Sequence, residues 1–503
     1  MGRADDHPGA ALAYYASRGE TRLAWGGRGA ERLGLAGAVT DGQSEAIFGP
    51  GGACDPILGV RLAGTRRPGV EIVVAAHKSL AMLGLLGRAE DMHQILDAER
   101  DATPAFLEEA TLGMGGRRGR AAVPTATSGL VYAVTRHATS RAGDPNPHDH
   151  VLIANAVEML DGPGGWTAAD TALWRDCLHA ATMTGRVTAA RRAVELGYAI
   201  ERDDGPSGRL GHWRIAGVPH ELEEVFSKRA AEIDQAVAGR GAASYRARQV
   251  AARDTRSAKR EEPVADRVAR WTAEAHKAGH DLRQVDRLVV DAARSQRTPQ
   301  PLAAYERAEV AGRLLAADGP LATKKVFARL DVTVAAAPFV CGRPAGELDR
   351  VVARVLADPE AVPLVGVAGA RERAFACASV IAMEAAIADT LARGTAPTGT
   401  GELRSRVVEG AVERKDAELG PRLTAGQGAM VRGICSSGRQ VKLVLGVAGA
   451  GKNTALDVVR AAYEAAGYQV VGTATSGQAA RSLAEAAGIG EPHHRLPALA
   501  ARP

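Results

Sequence analysis

Three histidines within 14 residues are the feature of this 503-residue chain that most constrains its fold. His148 and His150 flank one residue and precede an apolar run, so in an extended strand their side chains point to the same face. His137 ends a second run, V-Y-A-V-T-R-H, and the intervening G-D-P-N-P has the residues of a turn. Antiparallel pairing of these two strands would bring His137 beside the other two. Three neutral imidazoles so arranged form a site for a divalent cation with open positions for substrate.

The alternative is that these histidines are simply packed or hydrogen-bonded, which is the usual state of a single histidine on a strand. Three imidazoles directed at one point favour a metal site instead, because that is the geometry that metal ligation demands. Imidazole ligands alone do not identify the ion.

Length and composition predict a chain of about three domains. The sequence is 46% hydrophobic and carries a net charge of +5, with arginine clusters at 117–120 and along 240–260. Such clusters suit a polyanion, although arginine-rich faces are often merely solvated. The 5 cysteines are widely spaced and form no CxxC pair, which indicates a reducing compartment. No apolar run approaches ~18 residues, so we expect a cytoplasmic protein without membrane insertion.

An acidic residue and a tyrosine pair are further candidates for chemistry. Glu71 interrupts the apolar strand predicted over 70–75. It could orient a metal-bound histidine, accept a proton or lie at a solvent edge. Tyr14 and Tyr15 precede a glycine-rich turn. A phenolate is a competent nucleophile for phosphorus, and two adjacent aromatic rings also pack against a core, so the residues leave both interpretations open.

The segment 441–460 has the pattern of a phosphate-binding loop. A predicted apolar strand leads into G-V-A-G-A-G-K and a helix follows, so that backbone N–H groups and the lysine would hold phosphates. The pattern GxxxxGK[ST] fails at its last position, where no hydroxyl is available for Mg²⁺, and the next residue is rotated by ~100° around the helix. We therefore expect ATP phosphates to bind but Mg²⁺-dependent hydrolysis to be lost. The residues assigned to this site are Gly446, Gly449, Gly451, Lys452, Asn453, Thr454 and, as a candidate adenine contact, Gln427.

Composition shifts divide the chain into four segments, and the predicted fold class is α/β (α+β). A basic linker over 236–263 follows the N-terminal domain (1–235), and Ala-rich helical periodicity dominates 264–420. The last segment, 421–503, contains the phosphate-binding loop, but it has no apolar strand ending in Asp-Glu. We expect this segment to be an incomplete P-loop domain of the RecA-like type.

Several motifs together resemble the MobF-type conjugative relaxases, which are relaxase–helicases of the HUH endonuclease superfamily. The first is Y-Y followed by W-G-G-R-G-A-E-R-L-G-L, and the second is R-P-G-V-E-I-V-V-A-A-H-K-S. The third, R-H-A-T-S-R-A-G-D-P-N-P-H-D-H-V-L-I-A-N, is highly specific. Downstream, L-T-A-G-Q and G-V-A-G-A-G-K are similar to the superfamily 1 helicase half that is fused to these relaxases. The similarity covers nearly the whole chain.

The resemblance implies an antiparallel HUH-type sheet with helices on its other face and a histidine-bound metal in the middle. In that family a tyrosine hydroxyl attacks single-stranded DNA at a transfer origin, leaving a 5′-phosphotyrosine link and a free 3′-OH. The implied cofactor is Mg²⁺ or Mn²⁺, with Zn²⁺ or Ni²⁺ as substitutes in vitro. The implied partners, besides that DNA, are accessory relaxosome proteins and a coupling protein. Carried over by position, the site residues are the metal ligands His137, His148 and His150, the nucleophile Tyr14 or Tyr15, and the acidic Glu71 beside it.

Two features differ from the pattern of the family. The chain has one tyrosine group near its start where family members typically have two, and Asp149 stands between the paired histidines, directed to the other face. The sequence therefore predicts a relaxase, truncated in its helicase half, that nicks and rejoins single-stranded DNA and has lost helicase activity. The alternatives are a non-catalytic DNA-binding remnant of a relaxase and an HUH-type replication initiator.

Overall fold

The chain divides into two units after Ser379. A computed structural model describes residues 23–64, 67–118, 121–160, 165–203, 213–238, 245–255, 262–366, 373–419, 423–447, 449–474 and 477–488. The predicted segment boundaries at 235, 263 and 420 do not coincide with the division between the units.

The first unit contains all the strands of the described part of the chain. They are β1 (Ala24–Gly26), β2 (Gly69–Ala75), β3 (Leu112–Arg118), β4 (Ala121–Ala126), β5 (Tyr132–Thr139), β6 (Pro145–Ala154), β7 (Val157–Glu158), β8 (Trp166–Thr167), β9 (Ile200–Arg202), β10 (Trp213–Ile215), β11 (Ala361–Pro363) and β12 (Phe375–Cys377). Four of them form one antiparallel sheet in the order β1-β5-β6-β2, and the others pair in two-stranded ladders. The mixed fold class with an N-terminal antiparallel sheet is thus confirmed.

The helices of the first unit are Arg28–Arg32, Asp41–Phe48, Lys78–Leu85, Ala89–Ala110, Thr171–Glu195, His220–Val225, Lys228–Ala238, Tyr245–Asp254, Val264–Lys277, Leu282–Ser295, Ala304–Leu315, Arg329–Ala336 and Glu347–Leu356, with a 3₁₀ turn at Ala337–Phe339. The helix Ala378–Gly394 contains the division between the units. The second unit continues with helices Ser405–Leu419, Ala425–Cys435, Lys452–Ala465 and Gly477–Ala487.

Two long helices, Ala89–Ala110 and Thr171–Glu195, cover the reverse face of the sheet. Asp170 begins the second of them by accepting hydrogen bonds from the backbone N–H groups of Ala172 and Leu173. Alternate residues of β2 and β6 point into the layer between sheet and helices, as strand geometry requires. The buried side chains of this layer include Ile72, Val74, Leu96, Leu107, Val151, Ile153 and Trp174.

Among the residues that the structure describes, those that cover the front face of the sheet do so along part of its length. A second core, which includes Trp25, Phe48 and Leu152, packs on that part. The helix Asp41–Phe48 contributes to it and begins with a capping box between Thr40 and Gln43. Beyond this core lies the part of β5 and β6 that carries the three histidines.

The helices Val264–Lys277 and Leu282–Ser295 belong to the core of the first unit. Trp271 and Val289 are buried in one cluster with Leu80 and Leu83, which lie on the helix that follows β2. Trp271 Nε1 also donates a hydrogen bond to Gly143 O (2.8 Å), in the turn between β5 and β6. The structure therefore places residues beyond 263 against the turn that joins the two histidine-bearing strands and against the helix that follows β2.

The second unit has a small helical core that includes Val408, Val431 and Val458. The sequence predicts a strand immediately before the phosphate-binding loop, but the structure assigns none to residues 441–447. Leu443 is 72% exposed and Leu445 is 100% exposed. A strand is defined by ladder hydrogen bonds to a neighbour, and no described segment forms such a ladder with 441–447.

None of the described helices is both long enough and apolar enough to span a membrane.

Candidate metal centre

The three histidines converge because β5 and β6 pair in one particular register. His137 lies opposite His148, and Thr135 lies opposite His150. Side chains directly opposite each other in an antiparallel pair share a face, and alternate residues along one strand do so too. Both rules together place all three imidazoles on the front face, as the sequence predicted.

The geometry of the cluster fits one bound ion. One ligand atom from each histidine can be chosen so that all lie within 4.8 Å of one another. The ring centroids are 5.4 Å apart for His137 and His148, 4.8 Å for His137 and His150, and 5.0 Å for His148 and His150. His137 is only 4% exposed, whereas the other two rings are half-buried. The cluster is thus anchored on one side and accessible on the other, as a site with open coordination positions needs to be.

Two of the imidazoles are held through their Nδ1 atoms. His148 Nδ1 donates a hydrogen bond to Asn146 O (2.7 Å). His150 Nδ1 donates a hydrogen bond to Glu71 Oε1. An imidazole held at Nδ1 presents Nε2 to a metal, and a carboxylate partner makes that nitrogen a better donor.

Glu71 reaches His150 from the neighbouring strand. In the β2–β6 ladder Val73 lies opposite His150 and Glu71 lies opposite Leu152, so Glu71 is on the front face, diagonal to the histidine. Its side chain is 33% exposed. Of the roles left open by the sequence, this contact supports the orientation of a histidine.

Two residues near the site, Asn146 and Lys78, are not among the site residues assigned from the sequence. Asn146 precedes His148 by two positions, so strand alternation already places it on the same face. Lys78 is half-buried, and its Nζ donates to Pro145 O (2.7 Å) at the start of β6. Burial lowers the pKa of Lys78 to about 8, with Asp144 and Glu223 opposing the shift. Nothing in the local sequence connects Lys78 with β6, because 67 positions separate the two partners.

Tyr14 and Tyr15, the candidate nucleophiles, lie outside the described residues.

The second unit contains the phosphate-binding loop of the sequence analysis. Gly449 (φ 78°) and Gly451 (φ 70°) adopt left-handed backbone conformations that favour glycine, and Gly451 caps the helix Lys452–Ala465. Asn453 and Thr454 follow in the first turn of that helix. Lys452 Nζ donates hydrogen bonds to Gly446 O and Val447 O, each at 2.8 Å.

Gln427 contacts the same loop from the helix Ala425–Cys435. Its Nε2 donates to Ala450 O (3.3 Å) and Gly451 O (3.4 Å), and its Oε1 accepts from Thr424 N (2.9 Å). The structure thus brings Gln427 to the phosphate-binding loop, where its amide contacts the protein backbone.

Comparison with known proteins identifies the family to which the chain belongs. The family model described as TrwC relaxase matches residues 2–278, and the chain belongs to this family of relaxases. A second family model, described as an AAA domain, matches residues 422–492 and includes the phosphate-binding loop.

Among curated proteins, the chain is similar to the multifunctional conjugation protein TraI of Escherichia coli, at 32% identity over 271 residues. That match covers 52% of this chain but only 15% of the relative. A probable conjugal transfer protein TraA of Sinorhizobium fredii is 40% identical over 87 residues, which is 17% of this chain and 7% of the relative.

Among solved structures, the conjugative relaxase TrwC in complex with OriT DNA, in a copper-bound form, is 25% identical with a TM-score of 0.48. The match covers 56% of this chain and 98% of that chain. A metal-free complex of the same relaxase with OriT DNA gives 25% identity and a TM-score of 0.47.

The contact between Glu71 and His150 leads to a first prediction. Glu71→Gln keeps the size of the side chain and an acceptor oxygen but removes its charge, so we expect the affinity for Mn²⁺ to fall by about 10-fold or more. Isothermal titration calorimetry of the wild type and the variant measures this change. Glu158→Gln, which removes a carboxylate that pairs with Arg32 elsewhere on the unit, is the matched control. An unchanged affinity in Glu71→Gln would show that Glu71 does not act through the metal ligand.

Proposed function

We propose that the first unit is a metal-dependent DNA strand transferase that nicks and rejoins single-stranded DNA at a transfer origin. The observation that carries this proposal is the convergence of His137, His148 and His150 on the front face of the sheet, with Glu71 hydrogen-bonded to His150. Membership in the TrwC relaxase family supports the choice of reaction and substrate.

The three histidines would hold a divalent cation. Their donor set, all imidazole nitrogen, suits Zn²⁺ or Ni²⁺ best, whereas Mg²⁺ and Mn²⁺ favour oxygen ligands and would draw these from the phosphate and from water in the open positions. When bound, the ion would neutralise charge on the non-bridging oxygens of a phosphodiester. Glu71 and Asn146 O would keep the rings of His150 and His148 oriented while substrate enters from the open side.

The covalent step is assigned to Tyr14 or Tyr15. The phenolic oxygen forms a bond to phosphorus, the bond from phosphorus to the 3′ oxygen breaks, and a 5′-phosphotyrosine and a 3′-OH result. The proton lost by the phenol is balanced by the proton gained by the 3′ oxygen. Reversal of the same step rejoins the strand, so no external energy source is consumed. We place this reaction in the cytoplasm, where the DNA of a conjugative element resides, with accessory relaxosome proteins and a coupling protein as further partners.

An adduct assay tests this function. Wild-type protein with a labelled single-stranded oligonucleotide from the transfer-origin region and Mn²⁺ is expected to give a protein–DNA adduct on a denaturing gel. The adduct should disappear with EDTA and in the variant Tyr14→Phe plus Tyr15→Phe, because both remove a required group. Tyr305→Phe, which alters a tyrosine that is 73% exposed on the helix Ala304–Leu315, should leave the adduct unchanged.

Three outcomes of this assay are informative. DNA binding without an adduct would replace the proposal with a non-catalytic remnant. An adduct that survives the double tyrosine change would contradict the assignment of the nucleophile. Cleavage that works equally well on replication-origin DNA would favour a replication initiator.

We further propose that the second unit binds the phosphates of ATP at its glycine loop. The match to an AAA domain over 422–492 and the left-handed glycines before the helix Lys452–Ala465 favour this second function. Lys452, whose Nζ lies against Gly446 O and Val447 O, is the cation that would exchange these contacts for phosphate oxygens. Gly446, Asn453 and Thr454 complete the proposed site, and Gln427 would contact the nucleotide from the neighbouring helix.

Nucleotide binding is tested with Lys452→Ala. We expect the wild type to bind a fluorescent ATP analogue, and the variant to lose at least about 10-fold in affinity because a charge-assisted phosphate contact is removed. The matched control is Arg432→Gln, which removes one positive charge from the helix that also carries Gln427. Arg432 pairs there with Glu409, and this variant should bind the ATP analogue as tightly as the wild type does. Equal binding by wild type and Lys452→Ala would place the nucleotide elsewhere.

A further inference from the structure

A buried ion pair lies on the reverse face of β5 and β6, the strands that carry the three histidines. Asp149, between the two paired histidines, is 0% exposed and lies on the face opposite to them. Arg136 Nε donates to Asp149 Oδ1 (2.7 Å), and Arg136 Nη2 donates to Asp149 Oδ2 (2.5 Å). This is the two-pronged geometry in which a guanidinium and a carboxylate fit each other best.

The ion pair occupies the position between the metal ligands in the ladder. Arg136 lies directly opposite Asp149, between the pair His137 and His148 and the pair Thr135 and His150. A shift of the β5–β6 register by one residue would turn one strand's side chains to the other face relative to its partner. Asp149 would then be buried away from Arg136, and His148 and His150 would no longer lie beside His137.

The pair is also connected to the helix behind the sheet. Arg136 Nη2 donates to Asp97 Oδ1 (2.7 Å) on the helix Ala89–Ala110. Asp97 has a second partner, Arg100, on the same helix. The network therefore joins β5, β6 and the helix at the level of the histidines. Because an unpaired buried charge is strongly destabilising, the pairing of Asp149 with Arg136 favours the native register.

We propose that Arg136 and Asp149 are positioning residues that fix the register of β5 and β6 and thereby the spacing of the three histidines. This inference rests on the proposed metal site. The inference assigns a role to Asp149, whose position between the paired histidines is one of the two differences from the family pattern. The two charges act through the strands and do not contact the ion.

The test removes both charges at once. Arg136→Met combined with Asp149→Leu replaces the pair with apolar side chains, a change that often leaves stability intact when neither partner is left alone. Asp97 keeps Arg100 as its partner in this variant. We expect a full-length protein that still melts cooperatively but binds Mn²⁺ about 10- to 100-fold more weakly, the range seen when the support of a metal ligand is removed.

A metal-free readout separates this inference from the metal proposal. With ¹³C-labelled histidine, the wild type should show nuclear Overhauser contacts between the rings of His137 and His150, whose centroids are 4.8 Å apart. The double variant should lose them. If the wild type shows these contacts but binds no Mn²⁺, the metal proposal fails while the comparison of ring contacts still decides whether the ion pair positions the histidines.

Two further variants complete the design. Asp149→Asn keeps the shape of the side chain and removes its charge, so it should lose ring contacts and Mn²⁺ affinity to a smaller extent. It replaces the double variant if the double variant does not fold. Arg100→Met alters the same network at a residue that pairs with Asp97 and Asp101 and interacts with Asp149 only at longer range, so it should retain both the ring contacts and the Mn²⁺ affinity. A folded double variant with ring contacts intact and Mn²⁺ affinity within about twofold of the wild type would overturn the inference.

Discussion

The site depends on the alternation of side chains along two paired strands. Because alternate residues of β6 point to the same face, His148 and His150 act together while Asp149 points away, and the pairing with β5 adds His137. One ladder thus presents a cluster of imidazoles on its front and a buried ion pair on its back. Both consequences follow from a single register, and neither survives a shift of one residue.

The ligand set could be predicted from sequence because its geometry is local. His148 and His150 are separated by one residue, and a short turn returns the chain to His137, so strand periodicity was sufficient. The partners of these histidines could not be predicted in the same way. Glu71 lies 79 positions from His150, and only the order β5-β6-β2 brings them together. Asp149 was correctly assigned to the other face, but its pairing with Arg136 could not be predicted without the register of β5 and β6.

The two units differ in how far the sequence pattern determines the structure. The glycine loop and the helix after it were predicted from G-V-A-G-A-G-K, and the left-handed glycines agree with that pattern. The strand predicted before the loop is not formed, since strand formation depends on a neighbour that a local pattern does not specify. The helices Val264–Lys277 and Leu282–Ser295 were predicted, but their packing was not. Ala-rich periodicity predicts a helix and does not specify the core on which that helix packs.

Anomalous diffraction from crystals grown with Mn²⁺ tests the central claim most directly, because it locates the ion without reference to activity. The account predicts a strong anomalous peak within bonding distance, about 2.0–2.3 Å, of one nitrogen from each of His137, His148 and His150. It also predicts that Glu71 remains against His150 in the loaded protein. An ion bound elsewhere, or no peak at the histidines at a saturating Mn²⁺ concentration, would contradict the metal centre on which the proposed reaction depends.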